Sequence, residues 1–263
     1  MNRSDGVGVS VVVSYPPSLG YVRRSHTEMN SYIQPLSQLL DEIPDDLQAF
    51  YAQVQTGDFS GHSEVEVNLL SPADATKLTL EFREFNPLVD MSRCILLDEA
   101  NTSDYLCYLP GPPKAGAIFH LSHDGQPSKI VFRDTQALLH AAKEAIATGA
   151  FLETLFDRQS FVSEDQDELL DQIREAFSLS NEYEMTPLLD LLLRYAEYDR
   201  DPELFSKICE HDDFFVPQAI AETIQERPKR SYLLLAQKLA SNNVRQVARP
   251  AADAVAQIEA MPE

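Results

Sequence analysis

The apolar positions of this chain follow helical spacing at both ends and strand alternation in between. From Ser25 onward, Met29, Ile33, Leu36, Leu39 and Leu40 fall on one helical face. Pro44 stops that helix and opens another, in which Leu47 is followed at three, four and seven positions by Phe50, Tyr51 and Val54. Asp45 and Asp46 occupy its first turn, where the helix dipole favours negative charge, and Gly57 closes it. Glu64–Leu70 then alternates, with Val65, Val67 and Leu69 against Glu64, Glu66 and Asn68, which predicts a strand. Ser71-Pro72 is a cap followed by proline at the first helical position, and the helix it opens runs to about Phe85.

Three further strands are predicted at Cys94–Leu97, Tyr105–Leu109 and Ala117–Leu121. Pro110-Gly111-Pro112-Pro113 between the last two can be neither helix nor central strand. His123-Asp124-Gly125 predicts a hairpin turn, since Asp-Gly accepts the positive φ of primed turns, and Lys129–Phe132 returns from it. Asp134 caps a helix to Thr148 that Gly149 stops. Its stripe of Leu138, Leu139, Ala142 and Ile146 suits it to cover the hairpin.

After Phe151 the strand signal ends. Helices are predicted at Glu164–Phe177, Thr186–Tyr198, Pro202–His211, Val216–Arg227, Ser231–Ser241 and Val244–Ile258. Residues 186–211 and 214–241 repeat with a period near 28, which fits a helical-repeat stack and equally an irregular bundle. The expected architecture is α+β: a tail over 1–20 with a short strand at Val9–Val13, an α+β unit over 21–157, and an all-α unit over 158–263.

The composition is globular, with 44% hydrophobic residues, 9 glycines, 16 prolines and no tryptophan among 263 residues. Neither G-x-x-x-x-G-K-[ST] nor G-x-G-x-x-G occurs, which excludes the two commonest phosphate-cradling loops. Lys and Arg number 21 against 42 Asp and Glu, so the net charge is −21 and a phosphate backbone would be repelled. Direct nucleic-acid binding is not expected. A basic protein partner would be steered toward such a surface, although the charge also serves solubility. Glu164–Asp213 holds 16 acidic and 4 basic residues. Glu226–Arg249 reverses the sign with Arg227, Lys229, Arg230, Lys238, Arg245 and Arg249. Two arrangements fit this segregation: helices satisfying each other across a groove, or an acidic face built for a basic partner.

Cys94, Cys107 and Cys209 are neither a disulfide framework nor a clustered zinc site, and read as buried reduced thiols. The run Val9–Val13 is broken by Ser10 and too short for a signal core, and no stretch is apolar enough to span a membrane. A soluble cytoplasmic protein is expected. His120 and His123 lie three apart, on opposite faces of a strand, which makes a shared metal awkward. His211 reads as a helix-end histidine beside the dipole. Adjacent carboxylates such as Asp45/Asp46, Asp98/Glu99 and Asp212/Asp213 sit in polar stretches where both are solvated, unlike a general acid, which burial must raise. No catalytic residue, cofactor or metal is expected. Phe214 and Phe215, and Tyr183, Tyr195 and Tyr198 among acids, suit either a core or an interface with a basic protein.

The order of elements over residues 25–148 resembles the SUKH superfamily, which takes in bacterial immunity proteins of polymorphic toxin systems and fungal cell-wall-synthesis regulators. The residues that carry the likeness are IPDDLQAFYAQVQTGDF from Ile43, EVEVNLLSPADA from Glu64, CILLDEANTSDYLCYLP from Cys94 and AGAIFHLSHDGQPSKIVFRDTQALLHAAKEAI from Ala115. Thr56-Gly57 stands where the superfamily usually has Asn-Gly, and its tryptophans are missing. The resemblance implies a sheet flanked by helices and a non-enzymatic immunity protein that binds a cognate protein toxin, such as a nuclease with a basic cleft, and covers its active-site face. The contacts expected on the acidic surface are Asp98, Glu99 and Asp104 beside the sheet, and Glu182, Tyr183, Glu184, Glu197, Tyr198, Asp199, Asp212 and Asp213 in the helical unit. The fungal members imply an alternative, a regulatory scaffold without a toxin partner.

Overall fold

The computed structural model describes residues 31–100, 103–123, 128–157, 161–180 and 185–262. The expected tail over 1–20 and its strand at Val9–Val13 lie outside them, as do Asp124 and Gly125 of the predicted turn. The fold is α+β. Strands β1 (Ile95–Leu96), β2 (Tyr105–Tyr108), β3 (Ile118–Leu121) and β4 (Lys129–Phe132) form an antiparallel sheet in chain order. Helices α1 (Asp45–Thr56), α2 (Pro72–Arg83) and α3 (Pro87–Met91) precede it, and α4 (Thr135–Thr148) follows. Beyond lie α5 (Gln166–Leu179), α6 (Thr186–Leu193), α7 (Pro202–Ile208), α8 (Phe215–Glu226), α9 (Leu233–Ala240) and α10 (Arg245–Glu259).

Capping fixes the helix starts. Ser71, Asp134, Asp165 and Asp201 each accept a hydrogen bond from the backbone N–H three residues on. Gly149, with φ +75°, ends α4 in the left-handed cap that L-residues resist. Gly116, with φ +82°, is required twice: a Cβ there would also lie 2.9 Å from Oδ2 of Asp46, whose Oδ1 accepts from the Tyr108 hydroxyl.

Three expectations change. The helix predicted from Ser25 is α-helical at 31–33 and tightens to a 3₁₀ turn at Gln34–Gln38. Glu64–Leu70 is not a strand: Ser63–Val65 forms a 3₁₀ turn, Glu66 takes φ +59°, and only isolated bridges join His62 to Val67 and Leu69 to Asp98. Val65, Val67 and Leu69 are nevertheless buried, so the alternation reported burial and the positive φ at Glu66 broke the pairing. The helix predicted over Thr186–Tyr198 stops at Leu193, because the Tyr195 carbonyl is taken by the Ser163 N–H and the Gln166 side chain.

Both faces of the sheet are buried. Ile95, Leu97, Leu106, Tyr108 and Ile118 pack with Leu47 and Phe50 of α1 and with Leu138 and Leu139 of α4. Leu96, Cys107, Phe119, Leu121 and Ile130 face the other way, in one core with Ile173, Leu189, Leu192 and Ile220 of the helical region. The boundary expected between 157 and 158 therefore marks a change of secondary structure inside a shared core. All three cysteines are free and buried. Burial pushes the Cys209 thiol up to about 12, so it stays protonated.

Both edges are closed by hydrogen bonds from outside the ladder. On the β1 side the Leu96 N–H donates to Thr79 Oγ1 at 3.0 Å, and the Leu70 N–H to the Leu97 carbonyl at 2.8 Å. On the β4 side the Ile130 N–H donates to the Tyr195 hydroxyl at 2.7 Å, and the Asp157 N–H to the Val131 carbonyl at 2.8 Å. An edge so occupied cannot template another strand.

In the helical region, polar links join each helix to those before it: Arg194 to Glu222, Glu210 to Lys238 and Gln225 to Asp253 are 28 residues apart, and Glu197 to Lys229 and Asp199 to Ser231 are 32 apart.

Tyr195→Phe should leave the buried Ile130 N–H without its acceptor. We expect a loss of about 1–3 kcal/mol in urea unfolding followed by circular dichroism. Because the core is shared, sheet and helices should melt in one transition. A change confined to one of two resolved transitions would contradict that coupling.

Candidate functional site: an apolar groove with an acidic rim

The expected contact residues divide by environment. Asp98 is buried and offers no surface. The Leu97 carbonyl, which would ordinarily accept from Leu106 across the ladder, accepts from Leu70 instead. Asp98 Oδ1 takes over, accepting from the Leu106 N–H at 2.6 Å. Its carboxylate thus stands in for a backbone carbonyl, and burial pushes its pKa up to about 7. Asp104 is half-buried: its Oδ1 lies 2.7 Å from His123 Nδ1, its Oδ2 3.6 Å from His120 Nε2. The two histidines do meet one carboxylate, because His123 lies past the end of β3, where strand alternation no longer applies. Among the described residues no group of three His, Cys, Asp or Glu side chains could hold a metal. Glu99 is exposed and lines a mainly polar cleft of about 710 Å³ with Asn68, Asp74 and Lys77.

Glu182, Tyr183 and Glu184 lie outside the described residues. Tyr198 is buried; its hydroxyl donates to the Leu193 carbonyl, and its ring meets Phe205 and Tyr232. It is a core residue, as is Tyr195. Glu197 lies between Lys229 Nζ at 2.8 Å and Arg200 Nε at 3.3 Å, and the Lys229 hydrogen bond holds its carboxyl below the usual range. Lys238 reaches Glu210 and the Ser206 carbonyl. Two of the basic residues after Glu226 thus pair with acids of the preceding helices, Lys229 with Glu197 and Lys238 with Glu210. Asp199 is exposed and accepts from Ser231 Oγ.

Asp212 and Asp213 lead to the feature that remains open. The His211 Nδ1 accepts from the Asp213 N–H, and its Nε2 lies 2.9 Å from Ser180 Oγ, so the ring organises this turn. Asp213 Oδ1 accepts from the Phe215 N–H, which starts α8 and directs Phe215 outward, 47% exposed. Phe215 stacks on Phe214 at 4.3 Å. Opposite stands Phe85, 67% exposed, whose ring lies 4.8 Å from that of Phe82. Between them runs a groove of about 500 Å³, walled by α3, the end of β3 and the first turns of α6 and α8. Pro87, Leu88, Leu121 and Pro187 make it mainly apolar.

At its floor Arg194 binds Asp190 in bidentate fashion and reaches Glu222 at 3.0 Å. Gln218 donates from Nε2 to Glu222, which fixes the amide orientation. Its Oε1 is a buried acceptor with no donor among the described residues. Phe85 also borders a second recess, of about 590 Å³, with Glu84, Asp90 and Met91 along it and Arg83 tied to the Arg93 carbonyl.

Phe215 follows from the residues singled out in sequence. Phe85 does not: it reads as the end of a covered helix, and only the five-residue helix α3 after it turns it to the surface.

The Asp98 carboxyl gives a test of the sheet end. Its folded pKa of about 7 lies above the ordinary value of 3.8, so the folded state binds the proton more tightly. Stability from this group is complete below pH 4 and is lost, at up to about 1.4 kcal/mol per pH unit, as pH rises toward 7. Asp98→Asn keeps an acceptor for Leu106 and removes the charge. In urea titrations it should exceed the parent in stability at pH 8 and lose that advantage near pH 4. An advantage independent of pH would refute the assignment.

Comparison with protein-family models, curated proteins and solved structures found no match for this chain, so its site is read from its own residues.

Proposed function

We propose that this chain is a non-enzymatic, cytoplasmic immunity protein that binds a cognate toxin and covers its active-site face. The observation that carries the reading is the groove between Phe85 and Phe215: an apolar recess with aromatic edges and acid beside it, the composition of an interface centre. The roles of several titratable groups support it. Asp98 completes a ladder, Arg194 is held by Asp190 and Glu222, and Glu197 and Glu210 answer lysines of the next unit, so these groups already have structural roles. The net charge of −21 suits a partner with a basic cleft, which it would attract before contact. Glu99, Asp199 and Asp212, exposed at the surface, are the acids to meet it. The likeness of residues 25–148 to the SUKH superfamily points the same way.

The test is growth. Toxin domains encoded beside this gene would be expressed in host cells with and without the chain. We expect one of them to arrest growth alone, and the chain to restore growth and co-elute with it in equal amount. Failure to restore growth against any of them would sink the reading.

A further inference from the structure

We propose that the groove between α3 and α8 receives a segment of a protein partner that carries a large apolar side chain beside an arginine or lysine. This deepens the reading above and rests on its premise that the chain acts by binding a protein.

Three features of the groove select that occupant. The first is where apolar surface is left uncovered. Six large apolar side chains stand exposed among the described residues, and Phe85, Met91 and Phe215 fall together along this groove and its neighbouring recess. The second is rigidity. Phe85 rests on Phe82, which meets Tyr105 of β2 at 4.7 Å, and Phe215 rests on Phe214. Edges already ordered lose little freedom when an occupant arrives.

The third is sign. Arg194 stands between two carboxylates, Asp190 and Glu222, and Asp213 adds a further acid at the rim. In the adjoining recess Glu84 and Asp90 outnumber the one cation, Arg83. A cationic group beside an apolar anchor meets the apolar walls and the acids together. A purely apolar molecule meets the walls alone. A second copy would bring another −21 and the same acidic rim.

A displayed library of random peptides selected on the full chain tests this directly, and fluorescence anisotropy then measures the peptides recovered. We expect enrichment of sequences that place Leu, Phe or Trp next to Arg or Lys, with affinity that falls as salt rises. The double variant Phe85→Ala, Phe215→Ala should weaken them by at least about tenfold. Both rings are exposed, so folding is spared, and circular dichroism confirms it. Leu234→Ala, which trims the most exposed leucine on α9, away from the groove, should leave binding unchanged.

No enrichment, enrichment of acidic peptides, or binding indifferent to the double variant would overturn the proposal. So would a concentration-dependent dimer in sedimentation that the double variant abolishes. The selection involves no toxin. Intact selection with failed growth rescue removes only the toxin reading; failed selection with intact rescue removes only the groove.

Discussion

A sheet of strands two to four residues long has too few ladder bonds to stand alone, and everything else in this fold follows from closing it on four sides. Helices α1 and α4 dry one face, and the helical region dries the other. The edges are closed by single groups from distant parts of the chain: Thr79 and Leu70 at β1, Tyr195 and Asp157 at β4. Tyr195 is the most demanding of these. Its hydroxyl accepts from the sheet while its carbonyl accepts from Ser163 and Gln166, so the chain must leave helical geometry there. The early end of α6 and the closed edge of β4 are one event.

Elements defined by local chemistry are legible in the sequence. The helix after Asp134 runs from Thr135 to Thr148 as its cap and its glycine require, and the strands β2 to β4 lie where alternation and Pro-Gly punctuation put them. What is not legible depends on residues far along the chain. Nothing near Glu64–Leu70 reveals that Glu66 will take a positive φ, since the apolar positions alternate as a strand would. Nothing near Asp98 reveals that Leu70 will claim the Leu97 carbonyl and leave Leu106 to a side chain. A buried carboxylate and a solvated one look alike in sequence, and the difference of about three pH units between them is made entirely by tertiary contact.

The same holds for charge. The acidic run before Asp213 and the basic run after Glu226 look like two surfaces offered to partners. Tertiary packing turns part of that segregation inward, onto the pairs Glu197 with Lys229 and Glu210 with Lys238. Exposed pairs of this kind contribute little to stability, about 0–1 kcal/mol each.

An acidic protein whose charges are partly consumed at home still projects a field, and field and groove have different roles. Exposed charge acts at a distance of about 8 Å in physiological salt, which sets how fast a basic partner arrives. It holds the partner weakly once there. Residence depends on surface removed from water, and three of the six exposed large apolar side chains among the described residues, Phe85, Met91 and Phe215, lie along the groove between α3 and α8 and the recess beside it. A partner drawn by the whole acidic surface would therefore be retained at one place on it, and the acids next to that place, Asp212 and Asp213, belong to the turn that presents Phe215. Attraction and retention are coupled through a single turn of chain.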